Sequence, residues 1–214
     1  MSGSGHSNAH PLPDRVTEIP YRGGTVSAAS ADLYWLPLGA GGHSVRLNAK
    51  VFEAVAARLE KRKPEALFHS ALVVSTPDGR FVIEQAPSKS DGVDRGVVVE
   101  GAVGARWAGR LRLFRYEIRR RRDGVIPDAD EAVESPQRLT DDPALARRVL
   151  EIVGDVPTPV WGRGELQAGE MWNSNSIIAW TLARAGVDVG VMHLPTGGRA
   201  PGWDAGLVVA ARAP

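Results

Sequence analysis

The stretch "ALFHSALVVSTPDGRFVIEQAP", residues 66–87, decides the fold of this chain. Two runs rich in apolar and β-branched residues lie on either side of "TPDG", and the Pro, Asp and Gly of that segment suit a tight turn. The pattern therefore predicts a β-hairpin. His69 lies near the start of the first predicted strand and Glu84 near the end of the second. Pairing across the turn would place these two residues close together.

The chain around the hairpin predicts the remaining elements of an α+β fold. Further strands are expected in "ADLYWLPLGA" (31–40), "RGVVVEGAVG" (95–104), "GRLRLFRYEIRRRR" (109–122) and "GLVVAA" (206–211). Helices are expected over 48–63, over 142–155, and from near Ser174 to Gly186. Separate helices and antiparallel strands favour an antiparallel sheet with packed helices. We predict one α+β domain over residues 31–214, after a disordered segment at 1–30.

Within the strand predicted at 109–122, apolar and charged residues alternate. Phe114, Tyr116 and Ile118 are separated by charged residues. This period of two is typical of a strand with one face covered by the core and the other exposed to water.

Composition excludes several classes of function. The 214 residues carry a net charge of +1, so no global attraction to nucleic acid or membrane is expected. The absence of cysteine excludes disulfides, thiolate metal sites and a cysteine nucleophile. No apolar run approaches the length of a membrane span, and residues 1–15 do not have the pattern of a secretory signal. We expect a cytoplasmic protein with no cofactor and no metal site, because the histidines lack paired ligand spacing.

A second stretch, "MWNSNSIIAW" at residues 171–180, has the polar start and apolar continuation of a helix N-terminus. Ser174, between Asn173 and Asn175, has two interpretations. It can be a simple helix cap, because Ser and Asn are preferred there. It can also be a nucleophile, because the free N–H groups and partial positive charge of a helix N-terminus favour a developing anion. His69 would then be the general base and Glu84 the group that orients its ring. A structural role for His69 is the alternative.

The two stretches together resemble circularly permuted papain-like hydrolases of the NlpC type, including the lecithin:retinol acyltransferase-like proteins and the PPPDE peptidase-like proteins. In that group a His opens an early strand, and the nucleophile lies late in the chain in an Asn-Cys-Asn or similar context. "FHSALVV" and "FVIEQAP" match the early part, with Glu84 where a second His is usual. "NSN" at 173–175 matches the late part, with Ser174 at the Cys position.

This resemblance implies a hydrolase or acyltransferase that acts on an amide or ester of a small molecule or peptide. Ser174 would attack, His69 would take its proton, and Asn173 or Asn175 would assist in orienting the base or holding the oxyanion. Serine is a weaker nucleophile than cysteine and depends on its base. Two alternatives stay open: a catalytically inactive domain that binds a peptide or small ligand in the same cleft, and a serine that has replaced an original cysteine.

Two further patterns suggest binding surfaces. Trp161, Trp172 and Trp203 lie in or beside Gly/Pro-rich segments and could line a pocket, whereas Trp35, Trp107 and Trp180 are expected in the core or at a sheet edge. Eight arginines lie between Arg106 and Arg122, with one acid among them. The consecutive Arg119, Arg120, Arg121 and Arg122 could dock an acidic partner, or they could be a solvated strand end that pairs with nearby acids at 128–134. Nucleic acid is disfavoured, because no set of stacking aromatics is interleaved.

Overall fold

The hairpin at residues 66–87 is the centre of the sheet in the computed structural model, which describes residues 29–38, 65–88 and 95–212. Its strands are β2 (Ala66–Thr76) and β3 (Gly79–Pro87). They pair antiparallel, with Leu72 opposite Ile83. Gly79 closes the turn with φ of 138°, a conformation that only glycine adopts readily. The hairpin prediction is confirmed.

The sheet extends on both sides of this hairpin. Its other long strands are β1 (Ser30–Pro37), β4 (Val97–Ala102), β5 (Arg115–Arg122) and β6 (Gln137–Thr140). The strand order is β4-β5-β3-β2-β1-β6, with antiparallel pairing between neighbours. A two-residue strand, β7 (Gly198–Arg199), pairs parallel with the start of β2. The expectation of an antiparallel sheet with helices is confirmed.

Three α-helices are found in the described residues: α1 (Pro143–Ile152), α2 (Ser174–Ala185) and α3 (Trp203–Ala210). The Asp142 side chain accepts a hydrogen bond from the Ala144 N–H and so caps α1. Gly186 ends α2 in the left-handed conformation. The helix predicted at 48–63 lies outside the described residues, as does nearly all of the segment predicted to be disordered at 1–30; β1 begins at Ser30.

The two faces of the sheet have different coverings. The three helices pack on one face and form the main core with alternate strand residues, which include Leu33, Trp35, Phe68, Leu72, Val74, Ile83, Tyr116 and Ile118. The other face, which we call the outer face, carries a smaller cluster of Leu36, Ala71, Val73, Val82 and Ile126. Ile126 comes from the loop after β5, so that loop covers part of the outer face. Neighbouring residues of a strand therefore enter different environments.

Three expectations about the elements are wrong. The segment predicted as a last strand, 206–211, lies mainly in helix α3. The strand predicted at 109–122 begins only at Arg115, after two 3-10 turns, Trp107–Arg110 and Arg112–Phe114. Both faces of β5 are buried over residues 116–119, because Glu117 and Arg119 are enclosed as well as Tyr116 and Ile118. Phe114, expected on the covered face, is exposed.

No helix within residues 29–38, 65–88 and 95–212 has the length and apolar character needed to cross a membrane.

Candidate functional site

The start of helix α2 is fixed to strand β2 by the side chain of Asn175. Its Oδ1 accepts a hydrogen bond from the Ser70 hydroxyl at 2.9 Å, and its Nδ2 donates to the Phe68 carbonyl at 2.9 Å. The same Nδ2 donates to the Pro201 carbonyl at 3.0 Å. Both Asn175 and Ser70 are buried. Both side chains form hydrogen bonds with protein groups. These bonds hold the start of helix α2 against strand β2.

The flanking polar residues of the motif serve the helix terminus. Asn173 is the N-cap: its Oδ1 accepts from the backbone N–H groups of Asn175 and Ser176, and its Nδ2 donates to the Pro201 carbonyl. The Ser176 hydroxyl donates to the Gly202 carbonyl at 2.7 Å and accepts from the Asn173 N–H, which completes a capping box. These bonds occupy the N–H groups of Asn175 and Ser176, the second and third residues of α2.

Ser174 is different from its neighbours. It is the first residue of α2, half-buried, and its hydroxyl forms no hydrogen bond with any described residue. The N-cap of α2 is therefore Asn173, one residue before Ser174. Ser174 is available for contact with a ligand, but no described residue forms a hydrogen bond with its hydroxyl as a base would.

The structure does not bring Ser174 and His69 together. The side chains of Phe68 and Ser70 lie on the face of the sheet that the helices cover. Phe68 packs in the main core, and Ser70 bonds Asn175. His69 lies between them, and because alternate side chains leave a strand on opposite faces, it projects to the outer face. There it lines a cavity with Glu84 and Asp128. The sheet itself separates its imidazole from the Ser174 hydroxyl.

The outer-face cavity has a volume of about 250 Å³. It is bounded by β2, β3 and the loop after β5, and its lining includes Leu36, His69, Glu84, Arg119, Ile126 and Asp128. Asp128 adopts the left-handed backbone conformation, with φ of 58°, which Asp tolerates better than most residues. This cavity therefore combines apolar walls with several ionisable groups.

Burial dominates the electrostatics of the cavity. It lowers the pKa of His69, and the Asp128 carboxylate opposes that shift only in part. The ring is thus neutral at pH 7 and presents one acceptor nitrogen and one donor. Burial also raises the pKa of Glu84, against the opposing influence of Arg121 and Arg119. Glu84 forms an ion pair with Arg121 at 2.9 Å. Its carboxylate therefore pairs with an arginine and not with the His69 ring, which it was predicted to orient.

Comparison with known proteins gives no match. No family model, no curated protein and no solved structure matches this chain.

The tryptophans are distributed differently from the prediction. Trp172 and Trp203 are buried in the main core, where Trp203 packs on Trp35 with ring centroids 5.1 Å apart. They do not line the outer-face cavity. Trp161 is on the surface, and Trp107 is strongly exposed on the connection between β4 and β5, at the edge of the sheet. The predicted aromatic pocket beside α2 is not formed by these residues.

Three members of the arginine run at 119–122 are held by the protein. Arg119 bonds the fully buried Glu117, Arg121 pairs with Glu84, and Arg120 donates to the Leu150 carbonyl. Arg120 and Arg122 are exposed, and Arg122 lies 3.9 Å from Asp123. The acids that pair with Arg119 and Arg121, Glu117 and Glu84, therefore lie in the sheet itself. The run does not present a continuous free surface to an acidic partner.

Within the described residues, no group of three or more His, Asp or Glu side chains could hold a metal ion. The roles of Ser70, Ser176 and Asp128 could not be predicted from their positions in the chain. Ser70 and Ser176 stand in the quoted stretches, but a hydroxyl carries no signal of its partner. Asp128, in "VIPDAD", shows as a turn residue or as an acid that could pair with the arginine run, and neither pattern places it beside His69.

Proposed function

We propose that this chain is a non-catalytic binding domain with a permuted papain-like frame, and that it binds a small polar ligand in the outer-face cavity. The observation that carries the proposal is the separation of His69 from Ser174 by the sheet. In the fold that the chain resembles, base and nucleophile face each other where the helix meets the strand. In this chain the residues that face each other there are Ser70 and Asn175, bonded at 2.9 Å.

Neither residue of that pair supplies acid–base chemistry. The Asn175 amide neither gains nor loses a proton near neutral pH, and the Ser70 hydroxyl needs a base to become a nucleophile. The N–H groups of Asn175 and Ser176 are capped by the Asn173 side chain. Among the described residues, Ser174 therefore has no base for hydrolysis or acyl transfer, and two of the N–H groups at the start of α2 are already bonded.

The cavity around His69 favours a small amine or other cation. Glu84 forms an ion pair with Arg121, and Arg119 shares Glu117 with Arg95. Asp128 forms no ion pair with any described residue, so its carboxylate leaves a local negative charge. The neutral His69 ring adds a hydrogen-bond acceptor. A volume of about 250 Å³ suits a ligand with few non-hydrogen atoms.

The test is a titration followed by NMR at the His69 ring Cε1–H. Ethanolamine and putrescine are the probes, and propanol and propionate are size-matched controls. We expect saturable shifts with the amines, which Asp128→Asn weakens at least tenfold. Ser174→Ala should bind like the unmodified chain.

The rival hypothesis, a Ser174 hydrolase, is tested on the same proteins with p-nitrophenyl esters and anilides. Turnover that falls together in Ser174→Ala and His69→Ala would overturn the binding proposal, because those side chains would then act as one unit. Amines that bind no better than propanol would overturn the choice of ligand.

A further inference from the structure

The connection between β4 and β5 carries a set of exposed large apolar side chains. Trp107, Leu111 and Leu113 are 73, 58 and 83% exposed, and Phe114 beside them is also exposed. They lie on the two 3-10 turns that close this hairpin at the edge of the sheet. We call these four residues the apolar tip. Clustered apolar exposure of this kind on a folded domain usually marks a contact surface.

Arginines alternate with the residues of the apolar tip. Arg106 pairs with Glu165 at 3.1 Å and Arg115 with Glu100 at 3.3 Å. Arg110 and Arg112 are exposed and form no ion pair with a described residue. An open cavity of about 390 Å³ lies beside the tip, and its lining includes Arg106, Arg110, Arg115 and Glu100. The surface thus combines protruding apolar groups with a local excess of positive charge.

We propose that the apolar tip docks on a membrane surface that contains anionic lipid. Trp and Leu side chains would enter the headgroup boundary, where indole rings are favoured. Arg110 and Arg112 would contact the lipid phosphates. The charge complementarity is local, because the whole chain has a net charge of only +1.

The tip fits a lipid surface better than nucleic acid or a second copy of the chain. Stacking on bases needs several flat rings, whereas Leu111 and Leu113 supply branched aliphatic groups. A second copy would bring Arg110 and Arg112 towards their own counterparts and add like-charge repulsion. The membrane proposal uses no residue of the outer-face cavity, so it stands or falls independently of the proposed function.

The first experiment is co-sedimentation of the full chain with vesicles of phosphatidylcholine alone or with 30% phosphatidylserine, at about 100 mM salt. We expect binding to the anionic vesicles only. Trp107→Ser with Leu113→Ser should lower the partition constant at least tenfold. Arg110→Gln with Arg112→Gln should lower it about 25-fold, from roughly fivefold for each basic residue.

Two control variants match these changes at the opposite end of β5. Val125→Ser removes an apolar side chain that is 70% exposed, and Arg122→Gln removes a largely exposed arginine. Both should bind vesicles like the unmodified chain. Circular dichroism and thermal unfolding establish that each variant is folded.

Insertion is distinguished from adsorption by quenching of tryptophan fluorescence with brominated phosphatidylcholine in the anionic vesicles. The quenched component should disappear in Trp107→Phe, which retains binding. Absence of vesicle binding, or binding that survives the tip variants, would overturn the proposal. So would self-association that depends on the tip, or tip-dependent binding of an RNA oligonucleotide, when vesicles are not bound.

Discussion

The Ser70 hydroxyl donates a 2.9 Å hydrogen bond to Oδ1 of Asn175, and this bond joins residues 105 positions apart in the chain. It ties the centre of the sheet to the first turn of α2. Asn175 also donates to the Phe68 and Pro201 carbonyls. Strand, helix and the segment before α3 therefore depend on one amide group.

Replacement of that amide should be costly. Asn175→Ala leaves the Ser70 hydroxyl and two carbonyls without this partner in a buried setting, so we expect a loss of about 2–4 kcal/mol in the free energy of unfolding. Urea denaturation measures it. Ser174→Ala, one residue earlier, is the matched control and should change stability by less than about 0.5 kcal/mol. Equal losses in the two variants would contradict the structural role of Asn175.

The buried Glu117 should make the protein acid-sensitive. Burial alone would raise its pKa, but hydrogen bonds from Arg95, Ser88 and Arg119 prevail and lower it to about 2 from an ordinary 4.5. A carboxylate whose pKa is lower in the folded than in the unfolded state stabilises the fold at pH values above its unfolded-state pKa. This contribution to stability is therefore lost as the pH falls from about 4.5 towards 2.

Glu117→Gln tests this network. We expect it to cost on the order of 3 kcal/mol at pH 7, because it leaves buried arginines without their carboxylate, and to flatten the stability profile between pH 4.5 and 2. Glu100→Gln is the control, since its ion pair with Arg115 is partly exposed and should contribute less than about 1 kcal/mol. Urea denaturation at several pH values gives both quantities. An acid-sensitive slope unchanged in Glu117→Gln would exclude Glu117 as its source.

His69 should titrate below its ordinary range, and Asp128 should control by how much. Burial lowers the pKa of His69 and the Asp128 carboxylate raises it, so Asp128→Asn should lower that pKa further. A lowered histidine pKa destabilises the fold as the pH drops below about 6.5, because the unfolded chain takes up the proton first.

The measurement is the pH titration of the His69 Cε1–H resonance. Asp123→Asn is the control: Asp123 is also in the left-handed conformation, with φ of 51° against 58° for Asp128, but it does not line the cavity. Both substitutions keep a residue that tolerates this backbone. An Asp128→Asn variant that titrates like the unmodified chain would place Asp128 too far from the ring to act on it.

Elements with local causes could be predicted from the sequence. The hairpin follows from "TPDG", and the ends of α1 and α2 follow from Asp142 and Gly186, whose capping bonds span a few residues. The candidate site could not be predicted in the same way. Strand alternation implies that His69 and Ser70 face opposite sides, but which side receives α2 is decided by packing of the whole core. A Ser174–His69 pair would require α2 to pack on the face of the sheet that carries His69.

Residues 206–211 of the sequence resemble a strand because this apolar run is short and lacks a helical period, although the run lies mainly in helix α3. Such runs do not distinguish a buried helix from a buried strand. Gly206 permits the helix to pack closely on α2. A Cβ at this position would lie 2.3 Å from the Ser176 carbonyl oxygen and 2.8 Å from the Ala179 Cβ. The missing side chain lets α3 pack directly on the backbone of α2, a long-range contact that no local pattern records.

Gly206→Ala should therefore separate the two helices. The added methyl group meets backbone atoms that cannot rotate away, so we expect a loss of about 2–4 kcal/mol in the free energy of unfolding despite the better helix propensity of alanine. Gly154→Ala is the matched control, because a Cβ at Gly154 meets no atom within 4 Å; its stability should stay within about 0.5 kcal/mol or rise slightly. Thermal and urea unfolding measure both variants. A Gly206→Ala protein as stable as Gly154→Ala would contradict the close approach of α3 to Ser176.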